Sequence, residues 1–232
     1  MKLKLIKVLM TVGLMLSSLT TQAISGSFNL GVSGAAVQLD TDGSETLKTS
    51  ELVTTGSVKE EVVVPSAFLE YALDLGLTLG FEYVPVNAEL GSNKATRVDK
   101  LAGGNVTVNQ NAQAEISDHW TVYLETPAIG WGNAYGVFGE NGLYLTAKHS
   151  ELTVTTDESL GTGSSYGDAT VEGTTFGAGV RTKLWDHMLV KLEASYTDYD
   201  EIILYSSGSD AVSTIKAEPD AAQVRLSIGF SF

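Results

Sequence analysis

The feature that most constrains this chain is a period of two. From Ala222 to the last residue every second side chain is apolar: Ala222, Val224, Leu226, Ile228, Phe230 and Phe232. Between them stand Gln223, Arg225, Ser227, Gly229 and Ser231. Successive side chains of a strand point to opposite faces, so this segment has one oily face and one hydrophilic face containing an arginine. Alternation of this kind recurs in eight stretches, at about 25–39, 61–74, 77–87, 112–126, 142–156, 172–184, 188–205 and 212–232. Helical periodicity is nearly absent beyond residue 24, and the chain is predicted to be all-β.

The apolar sets run Ala67, Leu69, Tyr71, Leu73; Leu77, Leu79, Phe81, Tyr83; Trp120, Val122, Leu124; Leu143, Leu145, Ala147; Phe176, Ala178, Val180, Leu184; and Met188, Val190, Leu192, Ala194, Tyr196. No charge interrupts them. The other face carries Glu70, Glu82, Glu125, Lys148, Arg181, Lys183, Lys191, Glu193 and Arg225, spaced by small residues such as Thr78, Gly80, Gly177, Gly179, Ser195 and Ser227. A soluble sandwich or barrel would bury the apolar face and hydrate the charges. The near balance of four carboxylates and five cations favours the reverse: a narrow barrel with lipid outside and an ion-paired network within, because buried charges persist only when paired. Ten residues at about 3.3 Å each, tilted near 40°, climb roughly 25 Å, the height of an outer-membrane apolar band. Aromatics gather toward the ends of the stretches, Trp185, Phe230 and Phe232 on one side and Tyr83, Tyr196 and Tyr199 on the other, as interfacial girdles do.

The connections alternate in length. Tight turns fall around residues 74–76 and 185–187, whereas polar connections at about 40–60, 88–111 and 157–171 are long and that at 206–211 is shorter. Short turns at one end and long loops at the other are the pattern of a transmembrane β-barrel. The segment 127–141 (PAIGWGNAYGVFGEN) breaks the pattern, and reads either as a decorated turn in an eight-stranded barrel or as a further hairpin making ten. Eight strands is the preferred reading. The four prolines, Pro65, Pro85, Pro127 and Pro219, lie in or near strand ends, where a missing N–H does least harm.

The first residues read as an export signal. Lys2, Lys4 and Lys7 precede the apolar run Val8–Leu16, and SSLTTQA offers a cleavage site after Ala23. The run is short of the roughly 18 apolar residues of a transmembrane helix. Cleavage removes three lysines and no acid, moving the formal charge from −14 to −17 and leaving residues 24–232 as one barrel domain. So acidic a chain lacks the basic footprint of a nucleic-acid binder. With no cysteine, an exported chain must draw its stability from sheet closure or a core.

These residues together resemble the small outer-membrane β-barrel family of Gram-negative bacteria: the barrel domain of outer membrane protein A, outer membrane protein X and the opacity/porin-like proteins. The resemblance spans the mature chain and rests on pattern: signal, alternating segments, turn/loop asymmetry and a last strand ending IGFSF. It implies an eight-stranded antiparallel up-and-down barrel with both termini periplasmic, no peptidoglycan-binding domain beyond it, and a structural or loop-mediated role. A small porin or passive transporter of small solutes is the alternative. It also implies contact with outer-membrane lipid and lipopolysaccharide, a monomeric state, a loop-binding extracellular partner, and a barrel-assembly machinery that reads Ile228, Phe230 and Phe232.

Catalytic and metal chemistry finds little support in the residues. His149, Ser150 and Glu151 suggest a hydrolytic set, but adjacent residues of a strand face opposite ways, so the pair a nucleophile and base must form is not available. His119 opens the fourth strand and His187 sits in a tight turn. DTDGSE at 40–45 resembles the start of a calcium loop without its remaining ligands. GTGSSYGD at 161–168 is Gly-rich but matches no phosphate loop. No enzyme activity, cofactor or metal is expected. Deleting Phe232 is expected to lower membrane assembly while leaving export intact, read by fractionation and heat-dependent gel mobility; normal insertion would contradict the signal role.

Overall fold

The computed structural model describes residues 25–47, 52–101, 104–130, 138–159, 165–185, 187–207 and 213–232; the export signal read at residues 1–23 lies outside them. Alternating segments with turn residues between them pair antiparallel with their sequence neighbours. The strands are β1 (Gly26–Leu47), β2 (Leu52–Leu73), β3 (Thr78–Tyr83), β4 (Ala88–Leu101), β5 (Gly104–Glu125), β6 (Ala128–Ile129), β7 (Phe138–Gly139), β8 (Gly142–Ser159), β9 (Ala169–Leu184), β10 (Met188–Tyr199), β11 (Ile202–Tyr205) and β12 (Thr214–Ser231). Eight of them close a ring in the order β1, β2, β3, β5, β8, β9, β10, β12. The alternating C-terminal segment forms the closing seam with β1: Phe28 and Phe232 exchange backbone hydrogen bonds of 3.3 and 2.8 Å, and the ladder continues from Asn29↔Ser231 to Thr46↔Thr214.

The register fixes the bore. Cross-strand partners lead from Asn29 through Glu70, Gly80, Tyr123, Lys148, Thr175, Thr197 and Ala221 to Leu39, ten residues further along β1. Eight strands with that stagger tilt by about 40° and enclose a lumen that side chains can fill. Large rings inside it require glycine opposite. A Cβ on Gly80 would collide with the Tyr123 ring, and one on Gly179 would lie 2.7 Å from the Tyr144 ring. The aromatic side chains lie over these bare stretches of backbone, as aromatics cover strand glycines elsewhere.

The apolar set faces outward. Phe28, Leu30, Val32, Leu69, Phe81, Leu124, Leu145, Phe176, Leu192, Leu226, Ile228 and Phe230 are all exposed, with Phe230 58% accessible. So continuous an oily exterior is incompatible with the soluble sandwich or barrel weighed from sequence, which would bury it.

Several expectations need correction. Residues 40–47 and 52–60, read as loop, continue β1 and β2 as a paired hairpin up to Leu47↔Leu52, and 88–101 and 104–111 form the β4–β5 hairpin. Their Thr-, Val- and Ser-containing stretches supply strand propensity, and pairing satisfies the backbone beyond the apolar band. Asp40–Glu45 is accordingly extended strand rather than a loop. In the 157–171 connection, 157–159 and 169–171 are strand and 160–164 lie outside the described residues. The 127–141 segment holds the two-residue hairpin β6–β7, which stays outside the ring, so the barrel has eight strands and not ten. Leu73 is 7% exposed instead of facing out, because β2 ends there and its N–H turns to Leu77 O at 2.9 Å. Tyr199, read as a girdle residue, points inward and packs with Leu152, Val154 and Val171.

One place in the wall departs from regular pairing. β2 and β3 pair from Ala67↔Tyr83 to Ala72↔Thr78; beyond Tyr83, β2 pairs only with β1 and β4 only with β5 among the described residues. Continuing the register would set Pro65 against Pro85, two residues with no N–H to give to a ladder. The opposite side of β3 is disturbed too. β5 shifts register between Ser117 and Trp120, Asp118 adopts φ 51°, and Val84 N–H donates to His119 O at 3.0 Å. The wall therefore has a lateral seam starting at the outer edge of the apolar band, where water can satisfy edge groups that lipid cannot.

Candidate functional site

The interior has two levels. At the turn end, inward positions bring charges from seven of the eight ring strands into one network. Arg181 donates from Nη1 to Glu125 Oε2 at 2.9 Å and to Thr78 Oγ1 at 3.0 Å, and from Nη2 to the carbonyl of Gly76. Lys191 Nζ lies between Glu70 Oε2 at 2.6 Å and Glu125 Oε1 at 2.8 Å. Glu70 also accepts from Tyr123 Oη at 2.8 Å and Asn29 Nδ2 at 3.0 Å. Lys148 pairs with Glu193 at 2.6 Å, and Glu193 accepts from Tyr144 Oη at 3.2 Å. Arg225 pairs with Glu82 through Nη1 and reaches Gln223 Oε1 from Nη2 at 3.2 Å.

These eight groups are buried, with Glu125 1% and Glu70 2% exposed. Four carboxylates meet four cations, so the network is formally neutral. The ninth charge read from sequence, Lys183, is not part of it. Its Nζ pairs with Glu140 at 2.6 Å at the turn end, a partner supplied by the 127–141 segment. Three aromatic rings that sequence reasoning passed over complete the packing. Lys191 Nζ is 5.1 Å from the Phe68 ring centre and 5.3 Å from that of Tyr123, and Arg181 lies 5.4 Å from that of Tyr144. Cations over ring faces gain further electrostatic stabilisation. The signal was in the parity: Phe68, Tyr123 and Tyr144 each sit between two outward apolar residues.

Beyond the plug the inner wall changes character. Val37, Leu39, Val62, Val64, Val84, Val86, Ala88, Ile116, Leu152, Tyr199 and Ala221 line a partly enclosed cup. Its floor is polar: Lys148, Arg225, His119, Gln223, Thr121, Ser150, Thr175 and Thr197. The space in which a water-sized sphere can move is about 70 Å³. Both lips of the lateral seam, Val62 and Val64 on one side and Val84, Val86 and Ala88 on the other, belong to the lining. Outside the band, Lys59 donates to Asp40 at 2.9 Å and holds that carboxyl below its usual range.

The histidine–serine pair considered for hydrolysis is split by the wall. Ser150 points inward to Thr121 Oγ1 at 2.9 Å, whereas the His149 ring stands edge-on to Trp120 with centres 6.1 Å apart. Among the described residues no group of three or more His, Cys, Asp or Glu is arranged to hold a metal ion. Ile228 and Phe230 face outward, and Phe232 is 79% exposed at the turn end beside Phe28.

A closed ring of eight antiparallel strands, an oily exterior and a filled polar bore define the small outer-membrane β-barrel fold. Comparison with solved structures gives the same class. The outer membrane protein OprG from Pseudomonas aeruginosa superposes with TM-score 0.56 at 13% identity, covering 90% of this chain and 96% of that one. Ail of Yersinia pestis (TM-score 0.39, 8% identity, 87% and 99% coverage) and the outer membrane protease OmpT of Escherichia coli (TM-score 0.40, 10% identity, 92% and 100% coverage) are more distant. No protein-family profile and no curated protein sequence matches the chain.

Removing the central cation tests the plug. Lys191→Met leaves Glu70 buried without its cation and is expected to cost about 3–5 kcal/mol of stability. Equilibrium unfolding in urea with detergent micelles reads this, and the double variant Lys191→Met/Glu70→Gln is expected to recover part of the loss. A single variant as stable as wild type would contradict the pairing.

Proposed function

We propose that the protein resides in the outer membrane as an integral barrel whose plugged bore blocks free solute flow and whose outer half takes up small apolar molecules. Membrane residence is supported by the exposed apolar band and by the fold. The uptake role rests on one observation, the apolar cup above the ion pairs. Apolar surface kept in contact with water costs about 25 cal/mol per Å². Inward valines and leucines with room beside them are thus a standing invitation to an apolar guest, which displaces that water.

The geometry favours the lateral seam as the way in. Its lips lie at the outer edge of the band, where molecules dissolved in the membrane interface meet the wall. A second role, interaction through the exposed surface, is supported by the paired β1–β2 and β4–β5 hairpins, which carry ordered backbone well beyond the band. A solute-conducting porin is disfavoured by the paired charges across the bore.

Methyl-labelled valine spectra of the barrel in lipid nanodiscs test the cup. Addition of 1-octanol is expected to shift Val37, Val62, Val64, Val84 and Val86 while leaving the lipid-facing Val180 and Val224 near their starting positions. Equal shifts on both sets, or none on the cup set, would overturn the reading.

A further inference from the structure

The cup has an oily wall and a charged floor, and the charge is of one sign. Two cations of the ion-paired network, Lys148 and Arg225, line it, whereas their carboxylate partners Glu193 and Glu82 do not. Among the described residues the lining holds no carboxylate at all. The cation of each pair thus lines the cup, while its carboxylate does not.

A second observation concerns hydrogen bonding. Arg225 is 9% exposed and spends Nη1 on Glu82 and Nη2 on Gln223, but its Nε–H has no partner among the described residues. A buried guanidinium donor left unpaired costs free energy that a bound acceptor returns. Guanidinium groups are well suited to carboxylate oxygens, and a charge-assisted bond of this kind is roughly twice as strong as a neutral one.

We propose that the cup binds an amphiphilic carboxylate, its head on the Arg225–Lys148 floor and its short alkyl tail along Val37, Val62, Val64 and Val84. This deepens the uptake reading above and rests on it. The size follows from the space. At about 10–15 Å³ of such volume per water, 70 Å³ holds roughly five to seven heavy atoms within the cup, so the end of an eight-carbon chain reaches past its open rim. The head-down orientation follows from the wall, since a carboxylate among the valines would be desolvated without a partner.

Octanoate, 1-octanol and octylammonium share a tail and differ in the head, so their affinities for the barrel in nanodiscs separate the two levels. Titration followed by valine-methyl shifts is expected to rank octanoate about tenfold or more tighter than octanol, with octylammonium weakest. Arg225→Gln alone strands Glu82 and risks the fold, so the informative variant is Arg225→Gln/Glu82→Gln, which keeps the network neutral. In it the preference for octanoate over octanol is expected to fall several-fold, with heat-dependent gel mobility retained as the check that the barrel still folds. If octanol binds at the cup and octanoate binds no better, or the double variant keeps the octanoate preference, the anion site is wrong while the uptake reading stands. If none of the three binds, both fall.

Discussion

A bore enclosed by eight strands is too narrow to hydrate many charges, yet the period of two sends every second residue into it. Whatever is polar there must be satisfied by other residues from the same bore. This requirement organises the structure. Arg181, Lys191, Lys148 and Arg225 are each matched by a glutamate from a different strand, and Tyr123, Tyr144, Asn29 and Thr78 take up remaining hydrogen-bonding capacity. The glycines facing Tyr123 and Tyr144 follow from the same constraint, because a bore this crowded has no room for a side chain and a ring at one height.

The network ends where the apolar band ends. Above that level the strands no longer need an oily exterior, and the inner wall becomes apolar instead, with Leu152, Val154, Val171, Ile116 and Tyr199 packing together. The change coincides with the two prolines, the β5 bulge and the break between β3 and β4. Proline removes ladder donors and the bulge re-aims the chain. The wall is thus continuous where lipid forbids unpaired backbone and interrupted just beyond. Closed base, apolar upper chamber and side seam are three consequences of where the pairing stops.

Much of this was legible in the sequence. Alternation fixed the two faces, and the charges named from parity include all eight members of the network. Their partners were not legible, because pairing depends on a stagger of ten residues that only the closed ring defines. The place of Lys183 needed Glu140, which lies in a segment whose pattern is irregular. The cup was obscured by Glu60–Pro65 (EEVVVP), where Val62, Val63 and Val64 are all apolar and alternation gives no face. In the structure Val63 is 79% exposed while its two neighbours line the cup. The long hairpins were read as loops because polar residues there signal water, and a strand paired outside the membrane is wetted on its faces without losing its ladder.

The central claim is that paired charges close the bore, and electrical recording addresses it most directly. Purified protein in a planar bilayer is expected to show no sustained conductance at moderate voltage, because Arg181, Glu125, Lys191 and Glu70 meet across the bore in buried ion pairs. Steady, ohmic openings from the wild-type protein would contradict the account.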